Sequence, residues 1–221
     1  MKFIIITKKK WDLNNFKNLS KNILVLDDIN LVKIKRIKPK IIFFIHWSKF
    51  VSQNIFKKYL CIQFHASNLP KGRGGSPIQN QILLNIKNTK ISAFKISEIL
   101  DSGPICLQDN LSLKGNAIDI LRRMETKSIQ MIKKIVKKKI LVFKEQKGKP
   151  SFFQRRKPSE SKINVNNMKS INKLYDFLRM LDAPGYPNAF IKLNKFKFIF
   201  NDIKINKNKI DAKVKITKDE K

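Results

Sequence analysis

The chain has 221 residues, 42% of them apolar, so it can bury the core of one full domain plus a small appendage and is not disordered throughout. Two cysteines, Cys61 and Cys106, exclude a disulfide framework and a cysteine-rich cluster, and no metal site is predicted. Lys and Arg outnumber Asp and Glu by 48 to 16, and the formal charge of +32 attracts polyanions. Because the lysines are spread along the whole chain, we favour a coding bias over a dedicated nucleic-acid surface.

The apolar run near the N-terminus is too short for a signal-peptide core, and no later run reaches the ~18 residues of a spanning helix. We therefore expect a cytoplasmic protein with no membrane partner.

Strands alternate with helical stretches in the first third of the chain. Short apolar runs predict strands at residues 3–6, 23–26, 41–45 and 59–64. Residues 28–36 predict a helix, with Asp28 as its N-cap. Runs that are apolar at consecutive positions suit strands buried on both faces, so the pattern predicts an α/β fold with a doubly wound, mostly parallel sheet.

The rest of the chain predicts a second group of elements. A Gly/Pro-rich loop at 66–76 precedes a helix that starts at Pro77, and strands at 90–96 and 105–113 flank a turn at 101–104. A long amphipathic helix covers 116–139. Beyond residue 150 we predict a connector, a helix at 174–181, a hairpin at 189–200, a weaker strand pair at 203–216 and a frayed end at 217–221. Residues 1–150 are assigned to the main domain and 151–221 to a small C-terminal α+β subdomain.

Both histidines of the chain directly follow predicted strands. In a doubly wound sheet the ligand crevice lies outside the carboxyl ends of the strands. Position alone leaves His65 open between a catalytic group and a side chain that caps the strand, whereas His46 suits a pocket wall better than catalysis. The loop at 69–77 offers backbone amides for an anion, although a simple turn is the first interpretation because neither the P-loop nor the dinucleotide spacing is present.

The order of several short motifs resembles the folate-dependent formyltransferase family. Members carry a strand ending in Asn-x-His, then Leu-Pro, Arg-Gly, a helix that starts with Pro, and an Asp-x-Gly-Pro-Ile turn. The corresponding residues here are Gln63-Phe64-His65, Leu69-Pro70, Arg73-Gly74, Pro77 and Asp101-Ser102-Gly103-Pro104-Ile105. The segments at 72–77, 153–158 and 178–190 are similar to bacterial N-formyltransferases that act on nucleotide-linked amino sugars, above all those of the pseudaminic acid pathway.

This resemblance implies an enzyme that moves a formyl group from 10-formyltetrahydrofolate to a nucleotide-linked amino sugar for surface glycan biosynthesis. It implies that His65 donates to the formyl oxygen and that Asp101 orients the imidazole and accepts the proton of the amine. Gln63 replaces the Asn of the family. Either the pocket is reset for the longer amide or Gln63 has turned away, and we favour the second alternative.

The resemblance further implies five residues that contact the folate: His46, Trp47, Leu69, Arg73 and Gly74. Folate and the amino sugar are the expected partners, nucleic acid is not, and the C-terminal subdomain could supply a homodimer contact.

Two alternatives stay open. The first is a methionyl-tRNA formyltransferase, which we rank behind because only about 70 residues follow Pro150, too few for a large tRNA-gripping domain. The second is a non-catalytic, basic nucleic-acid-binding protein on the same scaffold. The presence of both His65 and Asp101 argues against that alternative, while Gln63 mildly favours it.

Overall fold

A six-stranded sheet forms the centre of the molecule, in a computed structural model that describes residues 2–8, 16, 19 and 21–219. Its strands are β1 (Phe3–Thr7), β2 (Ile23–Leu26), β3 (Ile41–Ile45), β4 (Leu60–His65), β6 (Asn88–Lys95) and β7 (Ile105–Ser112), in the order β2-β1-β3-β4-β6-β7. The four strands from β2 to β4 are parallel, whereas β6 pairs antiparallel with both β4 and β7. A separate two-stranded pair joins β5 (Arg73–Gly74) to β8 (Phe152–Phe153).

Helices cover both faces of this sheet. They are α1 (Leu31–Ile37), α2 (Gln53–Phe56), α3 (Pro77–Leu83), α4 (Ala117–Lys137) and α5 (Ile171–Arg179). The predicted class, a doubly wound and mostly parallel α/β sheet, is confirmed.

Alternate residues of the central strands enter two different cores. In β3, Phe43 and Ile45 belong to the cluster that includes α4, whereas Ile42 and Phe44 pack with Ile34 of α1. All five side chains are fully buried. Each such side chain contributes about 1.5–3 kcal/mol through its removal from water. The double burial explains why these strands have apolar residues at consecutive positions.

The N-cap of α1 is Asn30 and not Asp28, so that prediction is wrong. Asn30 Oδ1 accepts a hydrogen bond from the backbone N–H of Lys33 at 2.9 Å. The Asp28 carboxylate instead pairs with Lys8 and Lys49 and accepts from the N–H of Ile29. The hydrogen bond from Lys8, followed by that from Ile29, lowers the pKa of Asp28 to about 2.

Replacing Asn30 with alanine should lower the free energy of unfolding by about 1 kcal/mol, because one N-terminal N–H of α1 loses its acceptor. Urea denaturation followed by circular dichroism measures the change. The matched control is Asn54→Ala, at an exposed position inside α2, which should change the free energy by no more than about 0.5 kcal/mol. Equal effects of the two substitutions would contradict the capping role.

The C-terminal residues form a three-stranded antiparallel sheet of β9 (Phe190–Leu193), β10 (Phe196–Asn206) and β11 (Lys209–Lys218). The hairpin predicted at 189–200 is confirmed, and residues 203–216 lie in two paired strands as predicted. The first strand of that pair is not a new strand, because β10 continues through a bulge at Asp202. The carboxylate of Asp182 accepts the N–H groups of Asp202 and Ile203, which satisfies the backbone at this bulge. The predicted fraying is wrong for Thr217 and Lys218, which pair with β10.

Among the described residues, no helix is long and apolar enough to cross a bilayer. The cytoplasmic location, the homodimer contact and the domain division after residue 150 stay predictions.

Candidate active site

A cavity of about 850 Å³ opens at the carboxyl ends of β3 and β4. Its wall draws on both cores, with Trp47 and Val51 from one face of the sheet and Leu121 and Met124 from the other. The volume suits a ligand of cofactor size. The position is the crevice that a doubly wound sheet offers to ligands.

The structure brings His65 and Asp101 together in the wall of this cavity. His65 ends β4, and Asp101 lies in the segment between β6 and β7. Nδ1 of the imidazole is 3.7 Å from Oδ2 of the carboxylate, and the two side chains are only 7% and 4% exposed. An imidazole and a carboxylate so close in a water-poor site can exchange protons with a bound substrate.

The tautomer of His65 follows from its second contact. Nε2 lies 2.8 Å from the carbonyl oxygen of Gly72, and a carbonyl oxygen only accepts hydrogen bonds, so Nε2 carries a proton. Nδ1 is then the nitrogen that faces Asp101 and remains for proton transfer. His65 donates from Nδ1 only when the ring is doubly protonated.

The Gly-rich loop holds Asp101 from the other side. The backbone N–H of Gly74 donates to Oδ2 of Asp101 at 2.8 Å. Gly74 adopts a φ of 98°, and a Cβ there would lie 2.4 Å from the carbonyl oxygen of Phe153, its neighbour across the β5–β8 pair. Only glycine fits this position. The N–H of Gly72 also donates to Oγ of Ser151 at 2.9 Å, so the loop depends on a segment far along the chain.

The other predicted site residues divide into two groups. Gln63, His46, Trp47 and Gly74 line the cavity. Gln63 precedes His65 by two positions in β4, so its side chain lies on the same face of the strand. This placement favours the alternative in which the pocket accommodates Gln63 over the one in which the side chain has turned away.

Leu69 and Arg73 do not line the cavity, although the sequence predicts folate contacts at both. Leu69 is buried in the core. The guanidinium of Arg73 donates to Oε1 of Gln146 through Nε at 3.2 Å and Nη2 at 2.7 Å, and lies 6.0 Å from the ring of Phe152. These contacts occupy its charged end away from the cavity.

Sequence reasoning missed a basic rim. Lys49, Arg155, Arg156 and Lys157 line the cavity beside His46, and Arg155 donates to the carbonyl of Ser48 at 3.3 Å. The signal was the Arg-Arg-Lys run of the connector, which composition alone does not place next to a sheet edge.

Neither cysteine is an activated nucleophile. Burial raises the pKa of Cys61 to about 12 and that of Cys106 to about 11, so both are thiols at neutral pH. Among the described residues, no three His, Cys, Asp or Glu side chains group as metal ligands. His65 and Asp101, 3.7 Å apart, offer acid–base chemistry at this site.

Comparison with known proteins identifies the family. A family model described as the C-terminal domain of methionyl-tRNA formyltransferase matches residues 158–217. The chain is 29% identical over 184 residues to methionyl-tRNA formyltransferase of Thermodesulfovibrio yellowstonii, covering 80% of this chain and 59% of that relative. It is 38% identical, with a TM-score of 0.93, to the solved methionyl-tRNA formyltransferase from Clostridium thermocellum, covering 99% of this chain and 100% of that one. The chain belongs to the formyltransferase family.

The predicted formyltransferase class is thus confirmed, and the formyltransferase family uses 10-formyltetrahydrofolate. HypX from Aquifex aeolicus, solved in complex with tetrahydrofolic acid, matches with a TM-score of 0.74 over 95% of this chain and 40% of HypX. The two sequences are only 11% identical, so this match shows the fold alone. The formyltransferase chain spans 27 to 59% of the length of the curated relatives it matches.

The predicted function, formylation of a nucleotide-linked amino sugar of the pseudaminic acid kind, is wrong, because the strong matches are methionyl-tRNA formyltransferases. The reason against the tRNA alternative was that the segment after Pro150 is short. The match covers the whole of the solved Clostridium thermocellum methionyl-tRNA formyltransferase chain, so a segment of this length does not exclude that alternative.

Proposed function

We propose that the chain transfers a formyl group from 10-formyltetrahydrofolate to the amino group of methionyl-tRNA. The observation that carries this proposal is the match to the Clostridium thermocellum methionyl-tRNA formyltransferase along the whole of both chains. A basic chain of formal charge +32 also suits a polyanionic substrate.

One observation in the cavity supports a folate site there. Trp47 is 6% exposed, and its indole Nε1 is buried without a hydrogen-bond partner among the described residues. A buried donor that faces a cavity is satisfied when a ligand supplies an acceptor. His46, Trp47, Gly74 and Gln63 would hold the folate, which supplies a formyl carbon bonded to nitrogen.

The chemistry then follows from the geometry of His65. The amine attacks the formyl carbon, the formyl oxygen gains negative charge, and one proton must leave the amine. The bond between the formyl carbon and the folate nitrogen then breaks, and that nitrogen takes up one proton as tetrahydrofolate leaves. His65 lines the cavity, and Nδ1 is the ring nitrogen left for this chemistry because Nε2 is held by the carbonyl of Gly72. A protonated Nδ1 donates to the developing oxyanion with its charge balanced by Asp101, 3.7 Å away. The Asp101 carboxylate accepts the proton of the amine, directly or through water.

The basic rim of the cavity supports the acceptor. Lys49, Arg155, Arg156 and Lys157 line the cavity, where they would meet the phosphates beside the aminoacyl end of a tRNA. The guanidinium of Arg156 is partly fixed by a hydrogen bond to the carbonyl of Glu160 at 2.6 Å. Such fixed cations favour a polyanion without defining its sequence.

The test is a direct formylation assay. The protein is incubated with 10-formyltetrahydrofolate and methionyl-tRNA, and the aminoacyl product is released and analysed for a gain of one formyl mass. We expect formylmethionine from methionyl-tRNA, none from free methionine, and a rate that falls steeply with salt. Formylation of an amine on a nucleotide-linked sugar, with none on methionyl-tRNA, would overturn the proposal.

A further inference from the structure

Gln146 makes four hydrogen bonds beside the candidate active site, in the extended segment that follows α4. Its Oε1 accepts from Nε and Nη2 of Arg73, at 3.2 and 2.7 Å. Its Nε2 donates to the backbone carbonyls of Asp101 and Gly103, both at 2.8 Å. An amide offers two donor protons and two acceptor lone pairs, so this side chain uses its full capacity.

The turn that Gln146 binds is unfavourable without support. Asp101 has a φ of 51°, in the left-handed region that a non-glycine residue rarely adopts. Gly103 lies so close to the end of β6, the preceding strand, that a Cβ would be 1.7 Å from the carbonyl oxygen of Lys95. A strained backbone of this kind persists where its surroundings fix it. The two donated hydrogen bonds of Gln146 fix the turn on both sides of Ser102.

The same side chain also fixes the strand that holds the Asp101 carboxylate. Arg73 is the first residue of β5, and the next residue, Gly74, donates its N–H to Oδ2 of Asp101. Gln146 thus links the main chain of Asp101 to β5, the strand whose Gly74 N–H binds the Asp101 carboxylate. Gln146 itself does not line the cavity.

We infer that Gln146 is a positioning residue, which sets the Asp101 carboxylate against Nδ1 of His65 without touching a substrate. The inference rests on the proposed function, since it assigns Gln146 a part in formyl transfer. Because catalysis is sensitive to displacements near 1 Å, a loss of these four hydrogen bonds should be visible in the rate of the chemical step.

Two substitutions separate the roles of this amide. Gln146→Met keeps the length of the side chain and removes all four hydrogen bonds, whereas Gln146→Glu keeps the acceptor for Arg73 and loses both donations to the turn. For both variants we expect kcat to fall by about 10- to 100-fold, with the KM of each substrate within about twofold of wild type. Gln130→Met, at an exposed position of α4, is the matched control and should leave kcat and KM unchanged.

A second measurement does not depend on activity. The chain has two histidines, so the proton NMR signals of the His65 ring are assigned by their loss in His65→Ala. We expect these signals to shift in both Gln146 variants and to stay in place in Gln130→Met. Thermal unfolding checks that the variants are folded, and Gln146→Glu carries the test if Gln146→Met does not fold.

The outcomes distinguish this inference from the proposed function. Wild-type kcat in a folded Gln146 variant overturns the inference, and so does a raised KM with unchanged kcat, because it points to substrate binding. If the wild-type protein formylates no methionyl-tRNA, the proposed function fails, and the NMR comparison alone decides whether Gln146 positions Asp101 and His65: unchanged His65 signals then overturn the inference.

Discussion

His65→Ala is expected to lower kcat for formylation of methionyl-tRNA by about 10²- to 10⁴-fold, the usual contribution of a positioned acid–base group. The side chain lines the cavity and places its Nδ1 3.7 Å from Oδ2 of Asp101. Alanine removes that nitrogen and the hydrogen bond to the Gly72 carbonyl. Single-turnover kinetics with saturating folate measure the chemical step directly.

The same variant discriminates between an enzyme and a nucleic-acid-binding protein on the same scaffold. Binding of tRNA, measured by filter retention at several salt concentrations, should be unchanged in His65→Ala, because the basic rim is elsewhere in the cavity wall. His65→Gln, whose longer amide reaches the position of Nε2 and can still donate to the Gly72 carbonyl, should be as inactive as His65→Ala. A kcat near that of wild type in either folded variant would show that the role assigned to His65 is wrong.

Asp101→Asn should lower kcat by about 10²-fold or more, because the amide has nearly the same shape and no charge. Asn can still accept the N–H of Gly74, so the loop keeps its hydrogen bond at this position. The variant loses the group that balances an imidazolium at His65 and accepts the proton of the amine. Steady-state kinetics should therefore show a fall in kcat and a similar fall in kcat/KM.

The control for this substitution is Asp109→Asn in β7. Asp109 forms an ion pair with Lys127 at 3.2 Å, away from the cavity wall. A partly exposed pair of this kind contributes little to stability, so kcat should be unchanged. If Asp101→Asn also retained its kcat, proton transfer would have to occur without this carboxylate.

The sheet could be predicted from the sequence because strands that are buried on both faces have apolar residues at consecutive positions. Residues such as Ile42 and Phe43 are consecutive in the chain and enter different cores, so the run is apolar throughout. The candidate pair could be found because His65 and Asp101 each stand in a recognisable local motif. Such features depend on neighbours in the sequence.

The features that were missed depend on distant contacts. Gln146 reaches Arg73 and Asp101, which are 73 and 45 positions away, and nothing near Gln146 in the sequence indicates either partner. The bulge at Asp202 depends on the Asp182 carboxylate of a different element. The sequence offers Asp28 as the N-cap of α1, but its carboxylate pairs with Lys8, 20 positions away. Asn30 accepts the N–H of Lys33 instead.

The identity of the acceptor was predicted wrongly for a different reason. The resemblance of the Gly-Arg-Gly-Gly-Ser-Pro loop and of the motifs after Pro150 to sugar N-formyltransferases predicts an amino-sugar acceptor. In the structure, Gly72 and Gly74 form hydrogen bonds with His65 and Asp101, so this part of the loop orients the proposed catalytic pair. Residues that contact only this pair carry no information about the acceptor.

The pairing of β5 with β8 means that the candidate site is not contained in the first 150 residues. A fragment cut after Pro150 would retain His65 and Asp101 but lose Ser151 and Phe153, which seat the loop beside them. Exchange of the part of this chain after Pro150 would therefore also change the contacts that hold the loop beside His65 and Asp101.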